Sequence, residues 1–256
     1  MSAGFAWVSV PGPVYRVGRH PDPWAWPDWA YATDGTFGNR WDDPQGEYRV
    51  LYACSQRVGA FVETLARFRP DLEVVAALAR VEGDEDGPPV GVVPARWLAG
   101  RRVGRAGLSG RFVDVGDARS LATLRTDAAA SAIHYGLSDI DASAIRLTAR
   151  RGFTQEISRL VYASVNEGGP FAGIRYASRL GDQFTNWAIF EAHQASPPFA
   201  VDTTTPGGRL ASRRGYVWRH PFGDEPRCAE SACSRLWTLK PVGRARISMP
   251  VSYVTR

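Results

Sequence analysis

The sequence predicts an α+β fold, and three observations carry that expectation. Strand-like and helix-like segments follow one another without a regular strand-helix alternation, which disfavours a doubly wound parallel sheet. Residues 48–53 alternate with a period of two, as a half-buried strand does, while residues 150–165 carry the apolar spacing of an amphipathic helix. The 256 residues, 44% of them hydrophobic, can build a sizeable core.

Taken in order, residues 14–18 read as an opening strand. Prolines at 21, 23 and 27 forbid regular structure in the tryptophan-rich stretch that follows, whose Trp24, Trp26 and Trp29 read as packing over the core or as a wall beside a cleft. In the strand at 48–53, Tyr48, Val50 and Tyr52 share one face and Arg49, Leu51 and Ala53 the other. Ser55 is a natural N-cap for a helix with an apolar stripe of Val58, Phe61, Val62 and Leu65, stopped by Pro70. Residues 72–81 and 110–116 read as strands separated by a turn-rich stretch and a linker through Arg101 and Arg105, and residues 119–135 as one helix with Leu121, Leu124, Ala128, Ala132 and Ile133 in register. Asp141 or Ser143 can cap another helix. The helix at 150–165 follows, with Ile157, Leu160 and Val161, and after a Gly-Gly-Pro turn come strands at 173–180 and 186–191. Past residue 195 the composition shifts to Pro, Gly, Ser and Arg. The expected division is therefore a main domain at 1–195 and a C-terminal extension at 196–256 packed on the same domain, with strands near 214–219 and 246–254.

A net charge of +5 looks basic, but Lys240 is the only lysine among 31 basic residues. Such a bias reads as a high-GC coding preference rather than an adaptation to nucleic acid. The basic residues form isolated pairs such as Arg101 with Arg102, with no dense run and no aromatic interleaving, so direct nucleic-acid binding is not indicated. Steering of anionic ligands fits better. Cys54, Cys228 and Cys233 are an odd and sparse set, which argues against a disulfide framework, and without a histidine pair nearby no metal is expected. The N-terminus lacks the basic-then-apolar order of a signal peptide, and no window approaches the roughly 18 apolar residues of a membrane span. A cytoplasmic protein without membrane contact is the expectation; self-association is left open.

The chemistry is narrowed first by what is missing. Residues 104–110 have spaced glycines but not the dinucleotide-binding spacing, and there is no phosphate-binding P-loop, zinc-protease or hydrolase-elbow motif. His20, His134, His193 and His220 are scattered. Residues 38–63 remain, bringing Arg40, Tyr52 and Glu63 together within 24 residues of chain. A fixed cation, an aromatic face and a carboxylate are what a site needs to hold a diphosphate, stack on a flat ring and stabilise a developing cation. Periodicity pulls the other way for Glu63. It lies roughly 150° from the apolar stripe, on the side of Gly59 and Ala66, where it would be a solvated partner of Arg67.

The order G-x-R-W-x-x-P-x-G at 38–46, V-L-Y at 50–52 and a glutamate eleven residues later resembles the signature of the RES-domain family, named for an arginine, a glutamate and a serine. The resemblance extends from the strand at 14–18 through Thr-Gln-Glu-Ile-Ser at 154–158 to the serine-bearing segment at 173–190, covering roughly residues 12–192. It implies an ADP-ribosyltransferase-like fold with two small sheets around a cleft for NAD, which would be consumed as substrate. It also implies the toxin of a bacterial toxin-antitoxin pair, with a helix-turn-helix antitoxin as partner. NAD glycohydrolysis or phosphorolysis is the leading activity, ADP-ribosylation of a protein the alternative, and a non-catalytic NAD-binding or interaction module the reading from another class.

Positions matching the family pattern are Arg16, Arg40, Tyr52, Glu63 and Ser178, with Thr154 and Gln155 as weaker matches. By that resemblance Glu63, Arg40 and Ser178 are catalytic, and Arg16, Arg40, Tyr52, Ser178 and Gln155 hold the dinucleotide. Ser178 has no base in view and is assigned a hydrogen bond to ribose, nicotinamide or Glu63. The chain departs from the family at Asp42, where asparagine is frequent, and at Ala177, where proline is frequent.

Overall fold

The computed structural model describes residues 4–78, 80, 91–146, 150–191, 199–201, 216–219 and 246–248. The first half of the chain forms β1 (Trp7–Val8), β2 (Pro13–Arg19), β3 (Val50–Cys54), α1 (Arg57–Leu65), α2 (Leu72–Leu78), β4 (Val92–Val93), α3 (Ala95–Ala99), β5 (Arg101–Leu108) and β6 (Phe112–Asp114). The second half forms α4 (Ala118–Asp127), α5 (Ala129–His134), α6 (Ala142–Arg146), α7 (Arg151–Ala163), β7 (Val165–Asn166), β8 (Gly169–Pro170), β9 (Gly173–Ala177) and β10 (Thr185–Phe190), then β11 (Phe199–Val201), β12 (Tyr216–Arg219) and β13 (Arg246–Ser248). The class is α+β, as expected.

Two compact units are present, residues 1–63 with 102–208, and residues 64–101 with 209–256. In the first, the strands expected in two small sheets join one eight-stranded sheet in the order β1-β6-β9-β10-β3-β2-β5-β11. The β6–β9 pair is parallel, and β9–β10, β10–β3 and β3–β2 are antiparallel. In the second unit β13, β12 and β4 form a small sheet. Most of the expected extension at 196–256, including Cys228, Cys233, His220 and Lys240, lies outside the described residues, as does His193; β12 and β13 fall where strands were expected. Among the described residues no helix is long and apolar enough to cross a membrane.

The sheet separates two cores, and the period-two pattern decides which residue joins which. Val50 on β3 and Ala188 and Phe190 on β10 pack with Phe153, Ile157 and Val161 of α7, while Leu51, Ala53, Trp187 and Ile189 point to the other side with Val14 and Trp24. Helix α7 thus covers one face through a row at i, i+4 and i+8. Of the proline-bounded tryptophans, Trp24 is buried, Trp26 packs on the second core, and Trp29 sits at the surface against Phe37.

Four local expectations change and one open choice is decided. Residues 101–105, expected as a linker, lie in strand β5. Residues 72–78 are helical, not a strand: Asp71 caps the first turn through its carboxylate to the Glu73 N–H, and the Leu, Glu and Ala around the two valines favour a helix. The single helix expected at 119–135 breaks at Ala128, whose φ is −114°. A straight helix drifts about 40° for each four-residue step; the break keeps Ser120, Leu124, Ala128 and Ala132 all buried and leaves Ile133 outside. Asp141 rather than Ser143 caps α6, accepting the Ala144 N–H at 2.7 Å. Ser55, expected to cap α1, spends its hydroxyl oxygen on the indole N–H of Trp187 at 2.8 Å.

Candidate active site

Helix α1 is turned differently from its apolar periodicity. Gly59 and Ala60 are buried, whereas Val58, Phe61 and Val62 are half-buried. A Cβ on Gly59 would stand 2.3 Å from the Cys54 Sγ and 3.0 Å from the Phe184 ring, so only a glycine lets the helix approach this closely. Glu63 is one turn beyond Gly59 on that face, and the close approach carries it to the sheet. Its carboxylate bonds there, not to Arg67: Oε1 accepts the Ser178 hydroxyl at 2.5 Å and the Asn186 Nδ2 at 2.7 Å. Among the described residues Oε2 makes no hydrogen bond.

Ser178 follows β9 and is fully buried, and its hydroxyl oxygen also accepts the Leu180 N–H at 2.9 Å. It is therefore held as a donor toward Glu63, placed there by its position at the end of the strand. Asn186 sits in β10 opposite Tyr176 of β9 and Cys54 of β3.

Arg40 comes from the turn between β2 and β3. Its guanidinium lies 5.4 Å from the Trp41 ring and 5.7 Å from the Tyr176 ring, and its Nε and Nη2 are buried without a hydrogen-bond partner. Burial lowers its pKa from the ordinary arginine value, against the opposing pull of Tyr176 and Glu63. Because arginine stays charged, this is an unpaired cation held beside a carboxylate.

The Arg40 turn is braced from two sides. Buried Asp42 accepts the Asn39 backbone N–H and side-chain amide, each at 2.7 Å, and the Tyr52 hydroxyl at 2.7 Å; that hydroxyl in turn accepts the Trp41 N–H at 3.0 Å. Burial raises the Asp42 pKa despite these donors, and burial followed by the Asp42 charge raises that of Tyr52. Behind the turn, one face of α7 supplies Arg151 to the Gly38 carbonyl at 2.6 Å, Gln155 to the Asn39 carbonyl at 3.0 Å and Ser158 to the Trp41 carbonyl at 2.6 Å. Arg159 extends the row to Asp43 and Glu47.

Of the residues singled out in the sequence, Glu63 and Ser178 are joined directly and Arg40 stands beside them. Tyr52 lies under the turn with its hydroxyl committed to Asp42. Arg16 is a partner of the backbone, donating from Nε to the Pro23 carbonyl at 2.8 Å and from Nη1 to the Tyr52 carbonyl at 3.0 Å. Gln155 braces the turn, and Thr154 is buried with its hydroxyl on the Arg151 carbonyl at 2.9 Å. Asn186 and Tyr176 were missed. The signal for Asn186 was a polar residue in the apolar row that continues through Ala188 and Phe190, since such a residue needs partners.

A family model described as RES domain matches residues 13–211. No curated protein matches the chain. Among solved structures the chain is similar to the M.tuberculosis MbcT-MbcA toxin-antitoxin complex, with a TM-score of 0.41 and 12% identity over 77% of this chain and 84% of that chain. A likeness of that size says nothing of what this chain binds.

Proposed function

This chain belongs to the RES-domain family, and from that premise we propose that it cleaves the nicotinamide-ribose bond of NAD, as the toxin of a toxin-antitoxin pair. The observation that supports it is the Glu63 carboxylate, fixed by Ser178 and Asn186 through one oxygen and free at the other, beside the unpaired Arg40 cation. A guanidinium with unfilled donors fits the oxygens of a diphosphate. A carboxylate with one unclaimed oxygen fits ribose hydroxyls and a ring that is gaining positive charge.

In the proposed reaction the bond between ribose C1′ and the pyridinium nitrogen breaks. Its electron pair goes to the ring, which leaves as neutral nicotinamide, and the ribose becomes an oxocarbenium-like cation. Glu63 stabilises that cation while Arg40 anchors the anionic end of the molecule. An acceptor oxygen then bonds to C1′, and with water the surplus proton leaves to solvent.

Incubation of the purified protein with NAD and analysis of the products tests the proposal. ADP-ribose identifies water as acceptor, its 1-phosphate identifies phosphate, and a labelled protein identifies a transferase. The helix-turn-helix antitoxin is part of the same proposal and rests on the family resemblance; co-purification of a neighbouring small protein that abolishes nicotinamide release would support it.

A further inference from the structure

Along β10 the side chains of Asn186, Ala188 and Phe190 share one face of the sheet. Ala188 and Phe190 fill the core beneath α7, and Asn186, only 2% exposed, is the polar exception. A buried amide in such a row is costly unless both of its ends are hydrogen-bonded. One end is: Nδ2 donates to Glu63 Oε1. The other end, Oδ1, is buried and has no partner. Turning the amide over would set its oxygen against the carboxylate oxygen, so Glu63 itself dictates which end is left over.

Two neighbouring donors are already spent. The Cys54 thiol, opposite Asn186 on β3, donates to the Gln56 side chain at 3.3 Å, and the Ser178 hydroxyl is taken by Glu63. A buried acceptor without a donor, adjoining a carboxylate with a free oxygen and an arginine with free donors, is the complement of a ligand that carries both acceptors and donors.

We propose that Asn186 is a specificity residue of this site, whose Oδ1 accepts a hydrogen bond from a donor of the bound dinucleotide beside the bond that breaks. The proposal rests on the NAD reading above. Two groups flanking that bond are N–H or O–H donors, the carboxamide of nicotinamide and the 2′-hydroxyl of its ribose. Replacement of the carboxamide by a carboxylate sets oxygen against Oδ1, and removal of the hydroxyl leaves Oδ1 buried and unfilled.

The test compares NAD, nicotinic acid adenine dinucleotide and NAD lacking the 2′-hydroxyl of the nicotinamide ribose as substrates. Wild type and Asn186→Ala are measured with each, and kcat/KM is read from release of the free base. Ratios between two substrates within one variant do not depend on the fraction folded. Should the alanine variant not fold, Asn186→Ser keeps a hydroxyl for Glu63 Oε1 and withdraws the acceptor from the ligand. The expected result is that loss of Asn186 lowers the preference for NAD over one analogue by about tenfold. The analogue whose ratio changes identifies the donor. Ratios in the variants equal to wild type for both analogues overturn the proposal and leave Asn186 as a support for Glu63 alone. A wild type inert toward NAD and both analogues removes the NAD reading, and this inference with it.

Discussion

The Ser178 hydroxyl donates to the Glu63 carboxylate at 2.5 Å, joining residues 115 positions apart in the chain. That contact lies at the junction of α1 with the β9–β10 hairpin, and it fixes which carboxylate oxygen remains for a ligand.

Ser178→Ala removes that donor and leaves Glu63 Oε1 with Asn186 alone. A hydrogen bond to a charged group contributes about 1.5 to 3 kcal/mol. The expected outcome is a fall in kcat of roughly ten- to a hundredfold with KM little changed, measured by nicotinamide release. A fall confined to KM would contradict the assignment of Ser178 to Glu63.

Arg40→Met separates function from stability. The buried Nε and Nη2 have no partners, so their removal relieves a desolvation cost instead of breaking a bond. Chemical denaturation should show the variant as stable as wild type or more stable, by about 1 kcal/mol. Titration with NAD should show binding lost. An Arg40→Met protein much less stable than wild type would mean that the guanidinium supports the fold.

Gly59→Ala places a Cβ against the Cys54 Sγ and is expected to cost about 1 to 3 kcal/mol and to shift Glu63. Addition of Cys54→Ala removes the sulfur and should recover part of both stability and activity. Equal stability of Gly59→Ala and wild type would show that the helix can back away freely.

Asp42 has a folded pKa raised by burial above the ordinary 3.8. A raised acid binds more protons folded than unfolded, so its contribution falls as pH rises from about 3.8 through the folded pKa and is flat above it. The stability of wild type minus that of Asp42→Asn should therefore decline across that window, as read from urea unfolding at a series of pH values. A difference that grows with pH would reverse the assigned sign.

Strand β3, its two faces and helix α7 were legible because period-two and period-3.6 patterns report burial directly, as Leu51 against Tyr52 and Ile157 with Val161 show. Glu63 was not legible from pattern. Its helix faces the sheet with its small residues, so the moment of the apolar side chains pointed the wrong way, and the contact of Gly59 with Cys54 that overrides it is tertiary. Asp71 and the break at Ala128 mark the same limit: a capping carboxylate outweighed two β-branched valines, and the needs of a buried row outweighed helix continuity. Motif order raised Arg16, Tyr52 and Gln155, and what order along a chain does not give is the partner each polar group already holds. The structure commits Arg16 and Gln155 to carbonyls and the Tyr52 hydroxyl to Asp42.

The central claim is that Glu63 stabilises the cation formed as nicotinamide leaves NAD. The rate of nicotinamide release by wild type and by Glu63→Gln, at saturating NAD and with folding confirmed for both, tests it most directly. A fall of about 10²- to 10³-fold in kcat is predicted for the glutamine variant, which keeps the shape and loses the charge. Equal rates in the two proteins, or release by neither with water, phosphate and protein acceptors present, would contradict it.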